Sequence, residues 1–395
     1  MTLPEQRATQ LAETRNLKMA RSAHAYVRGS TVKFYEWLES APSSIPEGPP
    51  VWICGDCHVG NLGPLADSRG RVAVQIRDLD QTVIGNPAHD LVRLGLSLAS
   101  AARGSDLPGV TTARIIEQLV IGYEAALAGD FDRDTEKAKR PASVRGLLNQ
   151  AVRRRWRHLA AERLDTVKPV LPLGKKFWAL TKEERHALED LFATDAMRSM
   201  ITGLQSRDDA DPVSLVDAAY WIKGCSSLGR LRYAAMLRVG EGEGSSLCLV
   251  DIKEAVTAAA PRAALAMPRD NAVRVVTGAK ALSPNLGERM IAARLLGKAV
   301  VLRELMPQDL KLEVGRLTQD EAMALAAYLA GVVGKAHGRQ MSPTKRAAWL
   351  ADLTKARSSA IDAPTWLWSS VVSLLAIHEG AYLEHCRRFA LAQAA

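Results

Sequence analysis

The sequence predicts an α+β protein, because helix-period apolar stretches fill both ends of the chain while strand signals gather in one block and around one short loop. The block is WIKGCSSLGRLRYAAMLRVGEGEGSSLCLVDIKEA, starting at Trp221, where apolar runs are cut by Gly- and Ser-rich turns. The loop lies between Val51 and Leu91. With 395 residues, 47% of them hydrophobic, the chain can bury two or three lobes. The changes of character divide it into 1–210, 211–312 and 313–395: helical, β-rich and helical again.

Pro4 to Glu39 has a helical pattern, and its Lys18, Arg21 and Arg28 either pack beneath the next segment or face phosphate. Ser43 to Pro50, behind Pro42, is a proline-rich connector that ends the helix. Val51 to Cys54 then reads as a strand, Gly55 to Gly63 as a polar loop followed by a turn, and Val72 to Ile76 as a second strand ending at Asp78 and Asp80.

Phosphoryl transfer needs a carboxylate to accept the proton of the attacking hydroxyl, and hard oxygen ligands to hold Mg²⁺ against phosphates. In a D-x-x-x-x-N loop followed by an acid at the next strand end, Asp56 fits the base, and Asn61 and Asp78 fit the metal ligands. Asp80 either takes a second metal or accepts a turn hydrogen bond. Other readings compete for the same letters. Cys54-Gly55-Asp56-Cys57-His58 has the spacing of covalent haem attachment or of a redox pair, although MTLPEQRATQ has no apolar signal core for export, and the acids alone suit ordinary turns.

Ala88 to Arg103 and Thr111 to Leu127 are amphipathic helices, the first with Asp90 where it can cap free amides. After a charged break at Gly129 to Lys139, Ala142 to Leu164 reads as a basic helix carrying Arg153-Arg154-Arg155-Trp156-Arg157-His158. That run is a solvated face, a surface for an anionic substrate or polyanion, or a nucleic-acid-binding helix. Thr181 and Glu184 form a capping box that starts a helix to Gln205. In the β block, Gly224 and Gly229, with Ser226 and Ser227 between them, can bring backbone amides to phosphate, and Lys253 sits in a V-D-I-K-E strand some two dozen residues later. Asn271 to Leu282 is a helix, Lys298 to Met306 a buried strand with Glu304 and Gln308 as polar candidates beside it, and Glu321 to His337 a long helix. Two further helices, with Trp349, Trp366 and Trp368, close the chain.

GDCHVGN followed by IRDLDQTVIGNPAHDL resembles the H-G-D-x-H-x-x-N, I-D-F-D and G-x-P-x-x-D-L succession of aminoglycoside phosphotransferases and choline-kinase-like enzymes. With KMARSAHAYVRGS ahead and DIKEA behind, the whole is similar to a kinase-like bacterial family, domain of unknown function 2252. The resemblance implies a protein-kinase-like two-lobe fold using ATP and Mg²⁺, with Asp56 as catalytic base, Asn61 and Asp78 on the metal, Asp90 bracing the loop, and Gly224, Ser226, Ser227, Gly229 and Lys253 on the nucleotide. Because the Gly loop and lysine follow the catalytic Asp, it implies a circular permutation. Two positions depart from the pattern. Cys54 replaces the usual His, and Thr277 stands where relatives offer the lysine's acidic partner, leaving Glu254 or Glu288 as substitutes. Phosphoryl transfer to a hydroxyl-type acceptor is the first expectation. Nucleotidyl transfer and a nucleotide-binding pseudokinase scaffold are the alternatives.

A net charge of +9 and a pI of about 9.4 favour anionic partners without choosing among them. The partners expected are a nucleotide and an anionic or hydroxyl-bearing acceptor, without nucleic acid and without membrane insertion, since no apolar run is long enough to span a bilayer. Five cysteines, an odd number, point to free thiols in a reducing cytoplasm.

Overall fold

Among the residues described by the computed structural model, which are 3–40, 45–165, 168–204, 206–225, 227–312, 317–355, 357 and 362–389, strands form three antiparallel sheets. The chain is a mixed α+β protein. Two sheets are small. Strand β1 (Val51–Ile53) pairs with β4 (Val83–Gly85), and β2 (Leu62–Ala66) pairs with β3 (Val72–Ile76). The loop after β1 and the acids after β3 are thereby brought to one end, and the Arg77 amide closes that end on the Asn61 carbonyl at 2.7 Å.

The large sheet has the order β5-β6-β7-β8-β10-β9, from β5 (Phe177–Trp178), β6 (Val213–Trp221), β7 (Arg232–Val239), β8 (Ser246–Glu254), β9 (Met290–Leu295) and β10 (Lys298–Glu304). Side chains alternate across a strand, so β8 sends Val250 and Ile252 to one face and Leu249, Asp251 and Lys253 to the other. The first face packs with Leu188 and Phe192 of the Lys182–Phe192 helix and Leu11 of the Arg7–Ala20 helix. The apolar part of the second packs with Leu159 and Leu164 of the Trp156–Leu164 helix.

The remaining helices build a separate core around the small sheets. Gly109–Ala128 lies along Gln319–Gly338, with Pro87–Arg103 against both and Thr365–Phe389 against Pro87–Arg103. Trp349 and Trp366 are buried there and Trp368 is half-buried.

Several expectations change, among them a helix, Arg133–Ala138, inside the expected charged break, and an interruption between Lys182–Phe192 and Asp195–Thr202 where one helix was expected. Leu62–Ala66 is a strand, although Gly63 and Pro64 break the pattern of one. The basic stretch is two helices, Ala142–Arg153 and Trp156–Leu164, because Arg154 is extended. There Arg154 Nε donates to the Pro307 carbonyl at 2.6 Å and Nη2 meets Glu162, so this guanidinium is drawn inward from solvent. Asp90 does not cap its helix; the Asn86 side chain does, accepting from the Ala88 amide at 3.0 Å.

Candidate functional site

Gly55 sets the course of the loop after β1. Its φ is +73°, and a Cβ there would lie 2.2 Å from the Gln81 carbonyl oxygen, so only glycine fits. The turn aims two amides at one carboxylate: Cys54 N–H and Gly55 N–H donate to Asp90 at 2.7 and 3.0 Å. Behind Asp90 runs a buried relay. Trp349 Nε1 donates to the Tyr123 hydroxyl at 3.3 Å, which leaves the hydroxyl hydrogen for His337 Nδ1 at 3.0 Å and His337 Nε2–H for Asp90 at 3.2 Å. Asp90 and His337 are 1% and 0% exposed, so each polar group there depends on its neighbour.

Asp56, at the tip, is more committed than a free base. Its Oδ1 accepts from Arg93 Nε at 2.9 Å, and Arg93, wholly buried, also donates to the Val27 carbonyl. His58 Nε2 stands 3.8 Å from Oδ2, with burial pushing the imidazole well down and leaving it neutral. Burial raises the Asp56 carboxyl above its usual range, while Arg93 and the Thr31 side chain pull against that. The Asn61 amide donates to the Asp56 carbonyl at 3.0 Å, so Asn61 is fixed with its side-chain oxygen spare for another partner.

Lys253 crosses from the large sheet to the acids that follow β3. Its Nζ is 3.5 Å from Asp78 Oδ1 and closer still to Asp80 Oδ2. Burial disfavours both carboxylates, but at Asp78 the charges of Lys253, Arg303 and Arg232 outweigh it and hold the carboxyl well below its usual value. At Asp80, burial and the Asp78 charge win over Lys253 and the value is raised. Asp78 keeps 48% of its side-chain surface open, in a recess walled by protein. Neither expected substitute is the partner seen: Glu254 faces Lys298 Nζ at 3.0 Å, and the described contacts of Lys253 are with Asp78 and Asp80. Thr277 only bonds back to the Val273 carbonyl. The same helix supplies Arg274 instead, which donates to the Asp80 carbonyl at 3.0 Å and to that of Thr82, holding the acid-bearing turn in place.

Beside Lys253 the sheet carries a second charge cluster. Asp251, 2% exposed, takes both Arg232 donors at 2.9 and 2.6 Å and has Lys223 at 3.4 Å, whose ammonium lies 3.7 Å from the Trp221 ring centre. Arg303 approaches Asp251 to 3.6 Å and donates to the Arg77 carbonyl at 2.9 Å, joining the sheet to the loop unit.

The two units enclose a cavity of about 360 Å³. Asn61, Asp78 and Gly224 line it, and seven cations, Arg28, Arg77 and Arg163 among them, face three acids. A smaller recess on the other side of Asp78 holds Asp80 and Lys253. The structure thus brings Asn61, Asp78, Asp80, Gly224 and Lys253 together, with Asp56 just behind. It places others elsewhere. Gly229 packs on the N-terminal helix, where a Cβ would lie 2.5 Å from Ala8 Cα, and Ser227 is buried beside Gly224. Ser226 lies outside the described residues. Glu304 is clasped by Arg207 at 2.7 and 2.8 Å, and Gln308 Nε2 turns to the Arg154 carbonyl.

Among the described residues no three His, Cys, Asp or Glu side chains group as a metal site. A cation held by one or two oxygen ligands, completed by water and phosphate, is the kind that Asp78 and the Asn61 oxygen suit. The haem and redox readings of the cysteine pair do not fit: both thiols are 0% exposed and free, and hydrogen bonding with Cys57, together with burial, pushes Cys54 well up. No helix among the described residues is long and apolar enough to cross a membrane.

Residues 7–388 match the model of a family described as uncharacterized protein conserved in bacteria (DUF2252). The chain belongs to the DUF2252 family. No curated protein and no solved structure matches it. In this DUF2252 chain, sequence reasoning missed Arg93, Arg274 and Asp251. Asp251 stands two residues before Lys253 in the same alternating strand, a signal for a shared face. Arg93 and Arg274 carry no such local mark, since each is one of several polar residues along its helix.

Proposed function

We propose that this chain is a magnesium-dependent phosphotransferase that moves the terminal phosphoryl group of ATP to a hydroxyl acceptor on a small molecule or protein. One observation carries the reading: a lysine from the large sheet meets the acids that follow β3, and one of those acids, Asp78, also lines the neighbouring cation-rich cavity together with Asn61. The succession of Gly-turn hairpin, lysine strand, helix and two further strands on one side, and loop, hairpin and acid on the other, supports a kinase-like two-lobe arrangement with the order of its halves exchanged.

Asp78 and Asn61 would hold Mg²⁺, which when bound neutralises charge developing on the phosphates. The cavity's guanidinium groups would offset the rest of that charge, and Lys253 would trade its carboxylate contacts for phosphate oxygens. Arg93 fixes Oδ1 of Asp56, and Oδ2, with His58 Nε2 3.8 Å away, would receive the acceptor hydroxyl. Its raised pKa brings it nearer the operating pH of a general base. In the transfer, the acceptor oxygen bonds to phosphorus, the bridging P–O bond breaks, ADP leaves, and the hydroxyl proton passes to Asp56.

The same Arg93 contact favours a second reading, a nucleotide-binding scaffold in which Asp56 is neutralised and transfer is lost. Radiolabel and thermal shift separate them. Transfer of γ-label supports the enzyme, retention of α-label on an acceptor supports nucleotidylation, and Mg-ATP stabilisation without turnover supports the scaffold. Asp78→Asn is expected to abolish Mg-ATP stabilisation, and Asp56→Asn to keep it while turnover falls at least about 100-fold. Equal stabilisation of wild type and Asp78→Asn overturns the assignment.

A further inference from the structure

We infer that this cavity recognises its ligand through the phosphate chain alone, so that inorganic tripolyphosphate binds as well as any nucleoside triphosphate. The inference rests on the phosphotransferase reading for the ligand's role, and on three observations for its chemistry.

A nucleobase is a flat apolar ring with polar edges, and it needs an apolar slot and free hydrogen-bonding groups beside the phosphates. The slot on the Lys253 face of the sheet is filled by the chain itself. Ala234, Met236 and Leu249, all 0% exposed, are roofed by Leu159 and Leu164, and Phe177 stacks on Trp221 with ring centres 5.7 Å apart. This roof is anchored at both ends, by Arg154 on the Pro307 carbonyl and by β5 pairing with β6, so it belongs to the core.

The polar edges are also taken. Pro307 gives its carbonyl to Arg154, Glu304 is clasped by Arg207, and Gln308 donates to the Arg154 carbonyl. What the cavity leaves unmet is positive charge. The Nε atoms of Arg28, Arg77 and Arg163 are buried without a hydrogen-bond partner among the described residues. All three side chains line the cavity from different elements: the Ala23–Gly29 helix, the end of β3 and the Trp156–Leu164 helix. Arg163 also pairs through Nη2 with Glu162 at 3.0 Å, so what remains at these guanidinium groups is spare donor capacity around a polar void, which suits phosphate oxygens.

The test is calorimetry on the full chain with Mg²⁺, titrating tripolyphosphate, ATP, GTP, CTP and UTP in turn, with adenosine as control. The expected result is five dissociation constants within about threefold, no heat from adenosine, and a roughly tenfold loss for all five in Arg163→Ala, a half-exposed position whose replacement leaves the roof intact. ATP binding about 30-fold or more tighter than tripolyphosphate overturns the inference, as does adenosine competing with ATP or no binding by any of the five. The parent reading fails separately. If label transfer occurs and bases are discriminated, only this inference falls; if all five bind alike and none donates a phosphoryl group, only the phosphotransferase falls.

Discussion

Asp90 and Asp80 belong to the same stretch of chain, yet one carboxylate is sealed and the other is open. Asp90 is 1% exposed and accepts two amides and a histidine, every partner itself enclosed. Asp80 keeps 32% of its side-chain surface open and meets Lys253 across the meeting of two sheets. The first arrangement has no partner to spare, so it can only hold shape. The second is a contact between charges at a rim, where a ligand can replace one side. The floor of the candidate site is thus sealed by folding, and its rim keeps exposed surface.

The largest test of that contrast is Asp90→Ala, which strands two buried amides and His337. Denaturant unfolding should show a loss of about 3 to 5 kcal/mol. A loss under about 1 kcal/mol would mean the floor is not braced this way.

Acid separates the two regions next. Burial, with the Arg93 charge adding to it, lowers His378, 1% exposed beneath the floor, to about 4, against about 6.5 in the unfolded chain. The unfolded state therefore binds the proton first. Stability from keeping this ring neutral is whole above pH 6.5 and is lost as pH falls towards 4, on the order of 3 kcal/mol for this residue. Asp78 runs the other way in range: its carboxyl is held below the usual value, so its contribution persists until pH falls below the ordinary carboxylate range. Thermal melts from pH 7 to 4 should weaken the fold while Lys253 and Asp78 remain an ion pair.

The smallest effect on folding belongs to Lys253→Met. A partly open pair contributes about 0 to 1 kcal/mol, so the melting temperature should barely move, while Mg-ATP affinity drops about tenfold or more. A Lys253→Met variant whose melting temperature falls by about 10 °C while its Mg-ATP affinity is unchanged would erase the distinction between floor and rim.

The sequence made the loop and the lysine strand legible because each carries a local signature. Gly55, Asp56 and Asn61 interrupt apolar strands, and Leu249, Asp251 and Lys253 alternate with buried Val250 and Ile252. Leu62–Ala66 was hidden because all five residues are buried, leaving no alternation to read. The break at Arg154 was hidden for another reason: no glycine or proline marks it, and its cause is a carbonyl 153 positions further along the chain. The Arg93 contact with Asp56 spans 37 residues, beyond any helical or strand period. What a residue does for its neighbours could be read. What it does for a distant one could not.

The relay from Trp349 to the loop also fixes when this protein can mature during synthesis. Cys54 and Gly55 leave the ribosome early, but the indole that ends their support is encoded almost three hundred residues later. A nascent chain halted before position 349 carries the loop without its full backing, so the relay completes only after Trp349 has been added.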